Sequence, residues 1–521
     1  MRKLAFVLLL ASIFATAQPT PTSGRAMTFN DMMAMKRLGS TAVSPDGRWL
    51  AYSVSTVNLQ KNSITAQLYL QPIAGGDPVP LTFTQPGDSG VQFSSDGHHI
   101  LFLSARTGSQ QAWIADFDSA IGQLTHPRKV TNLDTGVDNA VWSPDSQTIA
   151  FTSFVYPDCP PLTPGDNGVP ARCNYDKDEA RADDPVKAQI FTHLLFRHWN
   201  HFTGPKRSHL FLVSVATGAV RDLTPHQAND VPPFSLEGLG CGCAFSPDSK
   251  EIAYTLKDVP VPAISTNADI FTLDISHALT AAPLPAPVKV STSPGGDFSP
   301  AYSPDGKYLA WRSQARPGYE SDKFRLVLMD RKTRQITYPL ADFHFDRWVD
   351  EFSWVDDSQH ILFVSGDRGE APVYEVNVTG DDLSRMGRAV GDWSDVHLLL
   401  STRGMPVILG TLTRVDRPAE VVLGDALEMG DDVRKFGIGP DGTAIPEPRS
   451  SAYEPKLITH LNTALLAQLA LAPMEPFWFT AKDGTKLEGF IIRPPHFDPA
   501  KKYPVKFLIH GGPQGAWDQS W

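Results

Sequence analysis

The sequence has few cysteines, fewer basic than acidic residues and almost no long apolar runs, and each shortage excludes a class of protein. Only four of the 521 residues are cysteine, too few for a scaffold held together by disulfides. Lysine and arginine number 46 against 57 acidic residues, and the net charge of −11 argues against a nucleic-acid partner, which needs a basic face. Beyond the first residues, no stretch is long and apolar enough to span a membrane.

The N-terminus carries the pattern of a secretory signal. Arg2 and Lys3 precede an apolar run from residue 4 to residue 14, and Ala15-Thr16-Ala17 supplies small residues at the cleavage positions. The alternative is an uncleaved anchor, but the run is shorter than the ~20 residues that a spanning helix needs. We therefore predict that residues 1–17 are a signal peptide, and that the mature protein is periplasmic or secreted with no membrane anchor.

Residues 18–40 are predicted to be a lead-in with one short helix. Thr28-Phe29-Asn30-Asp31 resembles a capping box. Met32, Met33, Met35 and Leu38 would follow on the helix, and Gly39 would stop it.

A turn motif then recurs six times, each time between an aromatic or apolar residue and a short apolar run. Its aspartates are separated by 50, 49, 103, 57 and 52 residues. Proline pre-sets φ, aspartate bonds its own backbone and glycine takes a positive φ, so the motif is typical of a tight turn. Calcium binding by these aspartates is the alternative, and the turn explains them better. The copies are Val43-Ser44-Pro45-Asp46-Gly47, Phe93-Ser94-Ser95-Asp96-Gly97, Trp142-Ser143-Pro144-Asp145-Ser146, Phe245-Ser246-Pro247-Asp248-Ser249, Tyr302-Ser303-Pro304-Asp305-Gly306 and Trp354-Val355-Asp356-Asp357-Ser358.

A period near fifty residues with four short strands per repeat indicates a β-propeller. A second strand pair follows most turns, and a degenerate seventh unit begins near Asp392. The sequence thus predicts a mainly β protein, with a seven-bladed propeller over residues 41–445. The 103-residue interval is then one blade with an insertion at residues 155–207. The repeat resembles the TolB-like propeller repeat.

The insertion holds the candidate residues of the propeller. Cys159 and Cys173 lie fourteen residues apart in a Pro/Gly/Asp-rich stretch, which suits a disulfide-closed loop. The spacing of Cys241 and Cys243 is awkward for a mutual bridge, and a metal there would need two further ligands. Glu179 could pair with a peptide's amino terminus, and Trp199 could line its side-chain pocket. Zinc binding by His193, His198 and His201 is disfavoured by their spacing, so we predict no metal and no cofactor.

The character of the sequence changes after the propeller. Residues 446–475 are predicted to be a linker with a helix over 463–471. Residues 476–492 are predicted to form a β-hairpin around Asp483-Gly484. The apolar run from Val505 to Ile509 is predicted to be a buried parallel strand that feeds the loop His510-Gly511-Gly512-Pro513.

These motifs resemble the prolyl oligopeptidase family of serine peptidases, in the branch of acylaminoacyl peptidases and dipeptidyl peptidase V. The resemblance is carried by Thr459-His460-Leu461-Asn462, Asp483-Gly484-Thr485, Tyr503-Pro504 and His510-Gly511-Gly512-Pro513-Gln514. It implies an α/β-hydrolase domain beginning at residue 476, a propeller that gates the active site, and cleavage of short peptides near their N-terminus. It also implies that Gly511 and Gly512 contribute to an oxyanion hole.

One departure from the family is large. No serine has glycine both two residues before and two residues after it, so the Gly-x-Ser-x-Gly elbow is absent. We therefore expect the Ser-Asp-His triad beyond Trp521 and predict that this chain is inactive alone. We also predict that residues 476–521, the start of the hydrolase domain, are poorly ordered or aggregation-prone while the propeller folds. The alternative is a non-catalytic exported propeller that binds peptides or proteins.

Overall fold

The computed structural model describes residues 24–81, 84–166, 172–192, 194–198, 200–234, 240–341, 345–400, 404–426, 453–512 and 515–521. The predicted signal peptide lies outside these residues. Within the described ranges, no helix combines the length and the apolar character needed to cross a membrane.

The central feature is a series of seven four-stranded antiparallel sheets, which we call blades 1 to 7 in chain order. The strands of blade 1 are Arg37–Val43, Trp49–Asn58, Ser63–Pro72 and Val79–Pro80, and those of blade 2 are Ser89–Phe93, His99–Ser104, Gln111–Asp118 and Gln123–Lys129. The strands of blade 3 are Asp138–Trp142, Thr148–Val155, Arg207–Ser214 and Val220–Asp222, and those of blade 4 are Cys243–Phe245, Glu251–Leu256, Asp269–Asp274 and Val288–Lys289. The strands of blade 5 are Asp297–Tyr302, Tyr308–Ser313, Arg325–Asp330 and Ile336–Thr337, and those of blade 6 are Glu351–Trp354, His360–Val364, Val373–Asn377 and Leu383–Met386. The strands of blade 7 are Asp392–Leu400, Pro406–Arg414, Arg417–Asp425 and Lys456–Leu457. The predicted mainly β, seven-bladed propeller is confirmed.

The insertion has the predicted place. In blade 3, the second strand ends at Val155 and pairs directly with the third strand, which begins at Arg207. The intervening residues therefore leave the sheet and return to it without interrupting the pairing. They contain the helix Arg172–Asp183 and a small hairpin of Arg197–His198 with His201–Phe202.

The recurrent turn joins the first and second strands of blades 1 to 6. In blade 1, the Ser44 hydroxyl donates to Asp46 Oδ1 at 2.5 Å and accepts from the N–H of Trp49 at 2.9 Å. Equivalent Ser–Asp hydrogen bonds of 2.6–2.7 Å recur in blades 2 to 5. The aspartates are therefore occupied by their own turns, which supports the structural interpretation of the motif.

The residue after the aspartate takes a positive φ whether it is glycine or serine. Ser146, Ser249 and Ser358 have φ of 59°, 58° and 59°. Each serine hydroxyl accepts a hydrogen bond from the aspartate N–H of the preceding blade's turn, at 3.0–3.1 Å. The side chain thus links neighbouring blades, which offsets part of the strain of the left-handed conformation.

Apolar side chains from adjacent blades form the core. The second and third strands supply the most deeply buried ones, and clusters such as Leu362, Val373, Ile408 and Val422 join one blade to the next. Alternation along each strand therefore buries both sheet faces between neighbouring blades.

Blades 1 and 7 close the ring without sharing a strand, since each sheet consists of four strands consecutive in the chain. Leu50, Tyr52 and Val54 of blade 1 pack with Leu409 and Val421 of blade 7 and with Ile458.

A polar junction reinforces this contact. Buried Glu420 accepts from the Thr459 hydroxyl and, at 2.8 Å, from the N–H of Leu461. Asn462 then bonds both the N–H and the carbonyl of Lys36, at 2.8 and 2.9 Å. The Thr459-His460-Leu461-Asn462 motif is thus a ring-closing junction.

Several predicted boundaries need correction. The capping box is present, but the helix is only Phe29–Ala34, because the chain from Arg37 pairs with the second strand of blade 1. Leu38 and Gly39 are therefore strand residues. The propeller does not end at residue 445, since Lys456–Leu457 of the predicted linker completes blade 7. The linker helix is only Thr463–Leu466.

The segment after the propeller forms one hairpin, Met474–Thr480 with Lys486–Ile492, as predicted. The predicted buried strand from Val505 to Ile509 is wrong. These residues form no strand and are highly exposed, with Phe507 at 81%. No described strand lies beside them to satisfy their backbone groups, and an apolar run alone does not make a strand.

The cysteines form two pairs. Cys159 and Cys173 are joined, with Cα atoms 5.7 Å apart, at the base of the insertion. Cys241 and Cys243 are joined as well, contrary to the expectation from their spacing. A positive φ of 57° at Gly242 turns the chain and brings the two Cα atoms to 5.1 Å.

Candidate functional site

The candidate site lies at one end of the blades. Because the first strand of every blade runs toward the recurrent turn, the connections between second and third strands, and those between blades, lie at the opposite end, which we call the lower face. The insertion leaves blade 3 at this face, and the chain enters blade 1 and leaves blade 7 there. The described candidate residues of the insertion and of the stretch between blades 3 and 4 therefore belong to one face of the propeller.

The hairpin of residues 474–492 docks on blade 6 at this face. The ring of Phe490 lies so close to Gly369 that a Cβ at this glycine would stand 2.4 Å from the ring, and the Met474 side chain packs beside it. Gly369 also has a φ of 75°, so glycine is required there for two reasons. Arg493 and Glu475 fasten the open end of the hairpin with two hydrogen bonds of 2.8 Å.

The loop with Gly511 and Gly512 is exposed. Neither glycine N–H has a hydrogen-bond acceptor among the described residues, and the only hydrogen bond within the loop joins His510 Nδ1 to the Gly511 carbonyl at 2.8 Å. A Cβ at Gly511 would meet no atom within 4 Å, whereas Gly512 has a φ of 134°. The loop therefore presents two free N–H donors, the groups that an oxyanion hole uses.

Residues 518–519 touch the lower face of blade 7. The N–H of Val415 donates to Gln519 Oε1 at 3.5 Å. Burial, together with the nearby carboxyl group of Asp518, raises the pKa of Asp392 to about 8. Asp392 is therefore largely uncharged at pH 7, which reduces the repulsion between the two acids.

The insertion is anchored by its helix, Arg172–Asp183. Tyr156 is the main anchor point: its N–H donates to Asn174 Oδ1 at 2.8 Å and its hydroxyl donates to Asp178 Oδ1 at 3.1 Å. Lys206 completes the arrangement with a 2.5 Å hydrogen bond to Asp178 Oδ2. With the Cys159–Cys173 bond at its start, the helix is held by both polar and covalent links.

A pocket of about 550 Å³ lies between the insertion and blades 3 and 4. His198 stacks on Phe234 with ring centroids 4.0 Å apart, and Ile190 and Phe191 add apolar wall. Asp230 also lines it. Its Oδ1 accepts from the N–H of Ser208 at 2.8 Å, and burial raises the pKa of its carboxyl group. Such a pocket offers a fixed carboxyl group among both polar and apolar wall residues.

Cations surround this carboxyl group, but backbone carbonyls engage them. Lys257 Nζ donates to the Ser265 carbonyl at 2.7 Å, and burial lowers its pKa. Arg207 donates to the carbonyls of Gly204 and Ala228 at 2.8 and 3.1 Å. Burial also lowers the pKa of His198. Among the described residues that line the pocket, Asp230 is the one with an acidic side chain.

The residues predicted from the sequence are not brought together. Glu179 is exposed on the insertion helix and makes no hydrogen bond with a described residue, whereas its neighbour Asp178 is the anchor. Trp199 and His193 lie outside the described residues. His198 and His201 face each other across the small hairpin, and the described residues contain no cluster of three metal-ligating side chains. Asp230 and Phe234 were missed, since they follow the insertion in an unremarkable proline-rich stretch.

Relatives known from sequence match almost the whole chain. Dipeptidyl-peptidase 5 of Porphyromonas gingivalis is 26% identical over 540 residues, covering 100% of this chain and 69% of that protein. The protein of the same name from Porphyromonas endodontalis is 28% identical over 522 residues, covering 98% of this chain and 66% of its own length. A probable dipeptidyl-peptidase 5 of Emericella nidulans is 29% identical, with 96% and 66% covered. The chain thus spans about two thirds of the length of these relatives.

Solved structures agree on the fold. Acylaminoacyl peptidase in complex with Z-Gly-Gly-Phe-chloromethyl ketone superposes with a TM-score of 0.64 at 15% identity, over 94% of this chain and 62% of that one. A Mycobacterium tuberculosis puromycin-hydrolyzing peptidase gives 0.54 at 12% identity, over 94% and 63%. No family model matches the sequence. The likeness therefore supports a propeller followed by the start of a hydrolase-type segment.

Proposed function

We propose that this chain, a relative of the prolyl oligopeptidase family of serine peptidases, is part of an exported peptidase that acts on short peptides. The reaction is removal of an N-terminal dipeptide or acylated residue. The observation that carries the proposal is the alignment of nearly the whole chain with proteins named dipeptidyl-peptidase 5.

The proposed catalytic and gating roles place the active site at the lower face. The N–H groups of Gly511 and Gly512 stabilise the oxyanion that forms when a serine attacks the scissile carbonyl, with a histidine as base and an aspartate orienting it. These 521 residues hold no serine in a Gly-x-Ser-x-Gly elbow, so the nucleophile is not among the described groups. The propeller gates access because peptides must pass it or its rim to reach a site on this face.

We further propose that the insertion recognises the substrate's N-terminus. Asp230 is better placed than Glu179, because its carboxyl group is fixed inside a pocket and can hold an ammonium group while apolar residues of the wall, such as Phe191 and Phe234, hold a side chain. Glu179 and Trp199 remain candidates for contacts at the mouth, Glu179 because it is exposed.

The experiment is activity-based labelling with a fluorophosphonate. We expect the purified 521-residue protein to remain unlabelled and to release no fluorophore from dipeptidyl-aminocoumarin substrates. We expect both activities from protein translated through the DNA that follows codon 521, provided it encodes the missing elbow. Labelling of the 521-residue protein would overturn the assignment of the nucleophile.

The second candidate is a peptide-binding propeller without chemistry. The observation in its favour is the pocket beside the insertion, which is lined by described residues of the insertion and of blades 3 and 4. A clean stop with no related DNA downstream, together with measurable binding of dipeptides that Asp230→Asn abolishes, would support this candidate over the peptidase.

A further inference from the structure

A second pocket lies at the lower face, between blades 5 and 6. Its volume is about 630 Å³. One side is the connection between the second and third strands of blade 5, and the other consists of described residues within 338–341 and 345–349, which follow blade 5. Its walls are apolar, with two aromatic and three aliphatic side chains: Phe324, Phe345, Leu326, Leu340 and Val349.

Cations outnumber acids among the lining residues. Lys323, Arg325 and Arg347 line the pocket together with one acid, Asp346. Arg347 forms an ion pair with Asp367 at 3.1 Å, and Lys323 Nζ donates to the Phe345 carbonyl. A ligand must therefore satisfy the remaining positive charge.

Arg325 is the lining cation whose side chain has no partner among the described residues. This side chain makes no hydrogen bond or ion pair in the described ranges, and the residue is half-buried at the first position of the third strand of blade 5. Burial lowers the pKa of Lys323, and the neighbouring charge of Arg325 lowers it further. Two cations thus stand close together over an apolar cavity, an arrangement that an anion would stabilise.

The pocket adjoins the place where the hairpin docks. The ion pair of Arg347 with Asp367 connects its wall to the loop that carries Gly369, and Gly369 receives Phe490 of the hairpin. A ligand held here would therefore lie at the border between the propeller and the hydrolase-type segment.

We propose that this pocket is a carboxylate subsite for the C-terminus of a short peptide whose last residue is apolar. The Arg325 guanidinium binds the carboxylate of the peptide's last residue. The apolar side chain of that peptide residue packs against Phe324 and Phe345. An apolar C-terminal residue carries its carboxylate and its side chain on the same Cα atom, which suits a pocket with a cation beside apolar walls. An acidic side chain would instead bring the polar backbone against those walls. The inference deepens the proposed function and rests on it for the substrate class.

The test is calorimetric binding to the 521-residue protein at pH 7, which requires no hydrolysis. The probes are N-acetyl-Ala-Ala-Phe with a free carboxylate and the same peptide as its amide. We expect the free acid to bind at least about tenfold more tightly, the scale of one charge-assisted hydrogen bond. Arg325→Gln should remove the difference, and Arg325→Lys should keep part of it. The matched control is Lys332→Gln, an exposed cation of the same blade at the opposite face, which should keep all of it.

Equal binding of acid and amide by the wild-type protein would overturn the proposal, whatever the folding of the variants. Tighter binding of N-acetyl-Ala-Ala-Asp-amide than of N-acetyl-Ala-Ala-Phe would also overturn it, in favour of an acidic side chain. Failure here leaves the fluorophosphonate result untouched, so the two proposals fail separately.

Discussion

The propeller and residues 474–521, here called the C-terminal segment, treat the same kind of side chain in opposite ways. Phe363 of blade 6 is fully buried, whereas Phe507 is 81% exposed, although both lie in short apolar runs. Phe363 stands on a strand with partners on both sides, while the described residues give the run of Phe507 no partner strand. Burial therefore depends on neighbours that complete the sheet, and hydrophobicity alone does not supply them.

The same difference appears in the hydrogen bonds. The turns of blades 1 to 5 each bond their serine to their aspartate, and some turns also bond the next blade. The C-terminal segment has one hairpin, held to the propeller by Phe490 against Gly369. The propeller is thus fixed by redundant contacts, and the C-terminal segment by few.

The largest expected effect comes from paired truncations of the two phenylalanines. Phe363→Ala should destabilise the propeller by about 3–5 kcal/mol, because it leaves a cavity beside Phe345 and Tyr374. Phe507→Ala should change the free energy of unfolding by less than about 0.5 kcal/mol. Chemical denaturation followed by tryptophan fluorescence measures both. Similar losses of unfolding free energy in the two variants would contradict the proposed difference between the propeller and the C-terminal segment.

A second prediction concerns a buried ion pair of blade 3. His209 Nδ1 donates to Asp222 at 2.9 Å and Nε2 donates to the Gln227 carbonyl at 3.0 Å, so both ring nitrogens face acceptors. Burial lowers the pKa of His209, but the hydrogen bond and charge of Asp222 outweigh it, so the pKa is raised. His209→Gln should cost about 3 kcal/mol at pH 6, because Asp222 stays buried without its cation.

The sign of the pH dependence follows from the raised pKa. The stabilisation is complete below the unfolded pKa near 6.5 and is lost as the pH rises through the higher folded value. The Tm difference between wild type and His209→Gln should therefore shrink above about pH 6.5. His360→Gln is the control, since its pair with Asp357 is exposed and screened, and should change stability by less than about 0.5 kcal/mol. A difference that grows with pH would contradict the assignment.

A third, smaller effect is expected at the seam between blades 1 and 7. Asn462→Ala removes two hydrogen bonds to the backbone of Lys36 and should cost about 1–2 kcal/mol. Hydrogen exchange should show the loss first in the first strand of blade 1. Gln468→Ala serves as the control, because its side chain bonds only the nearby Ala464 carbonyl. If amide protection were lost evenly over all blades, the contact between blades 1 and 7 would not open before the rest of the propeller, and the prediction would be wrong.

The smallest effect on global stability should come from Gly369→Ala. A Cβ would collide with Phe490 and strain a positive φ, so the hairpin should leave blade 6 while the propeller stays folded. We expect faster cleavage between residues 474 and 492 in limited proteolysis, with a Tm change below about 2 °C. Gly404→Ala, also at a positive φ but with no atom near the added Cβ, is the control. Cleavage inside the blades would contradict the prediction.

The blades could be predicted because their signals are local. Each turn carries its own proline, aspartate and αL residue, so the motif predicts the turn wherever it stands, and the spacing of the copies predicts the repeat. Even the insertion was predictable, as a doubled interval. The sequence pattern also predicted the hairpin, because Asp483-Gly484 is a local turn signal.

The errors arose where distant residues decide the outcome. The helix ends at Ala34 because blade 1 needs residues 37–43, and no local signal near Gly39 shows this. Cys241 and Cys243 pair because Gly242 adopts a positive φ. Asp230 and Arg325 are candidate binding residues because each lines a pocket formed by residues distant in the sequence, and sequence spacing does not reveal such a pocket.

The seam has a consequence for synthesis of the protein. The hydrogen bonds between Lys36 and Asn462 join residues 426 apart in the chain. At ordinary translation rates, roughly 20–90 s separate the synthesis of the two residues. During that time the apolar side of blade 1, with Leu50 and Tyr52, has no blade 7 to cover it. A nascent chain of this propeller should therefore bind chaperones through blade 1 until residues 456–462 have been made.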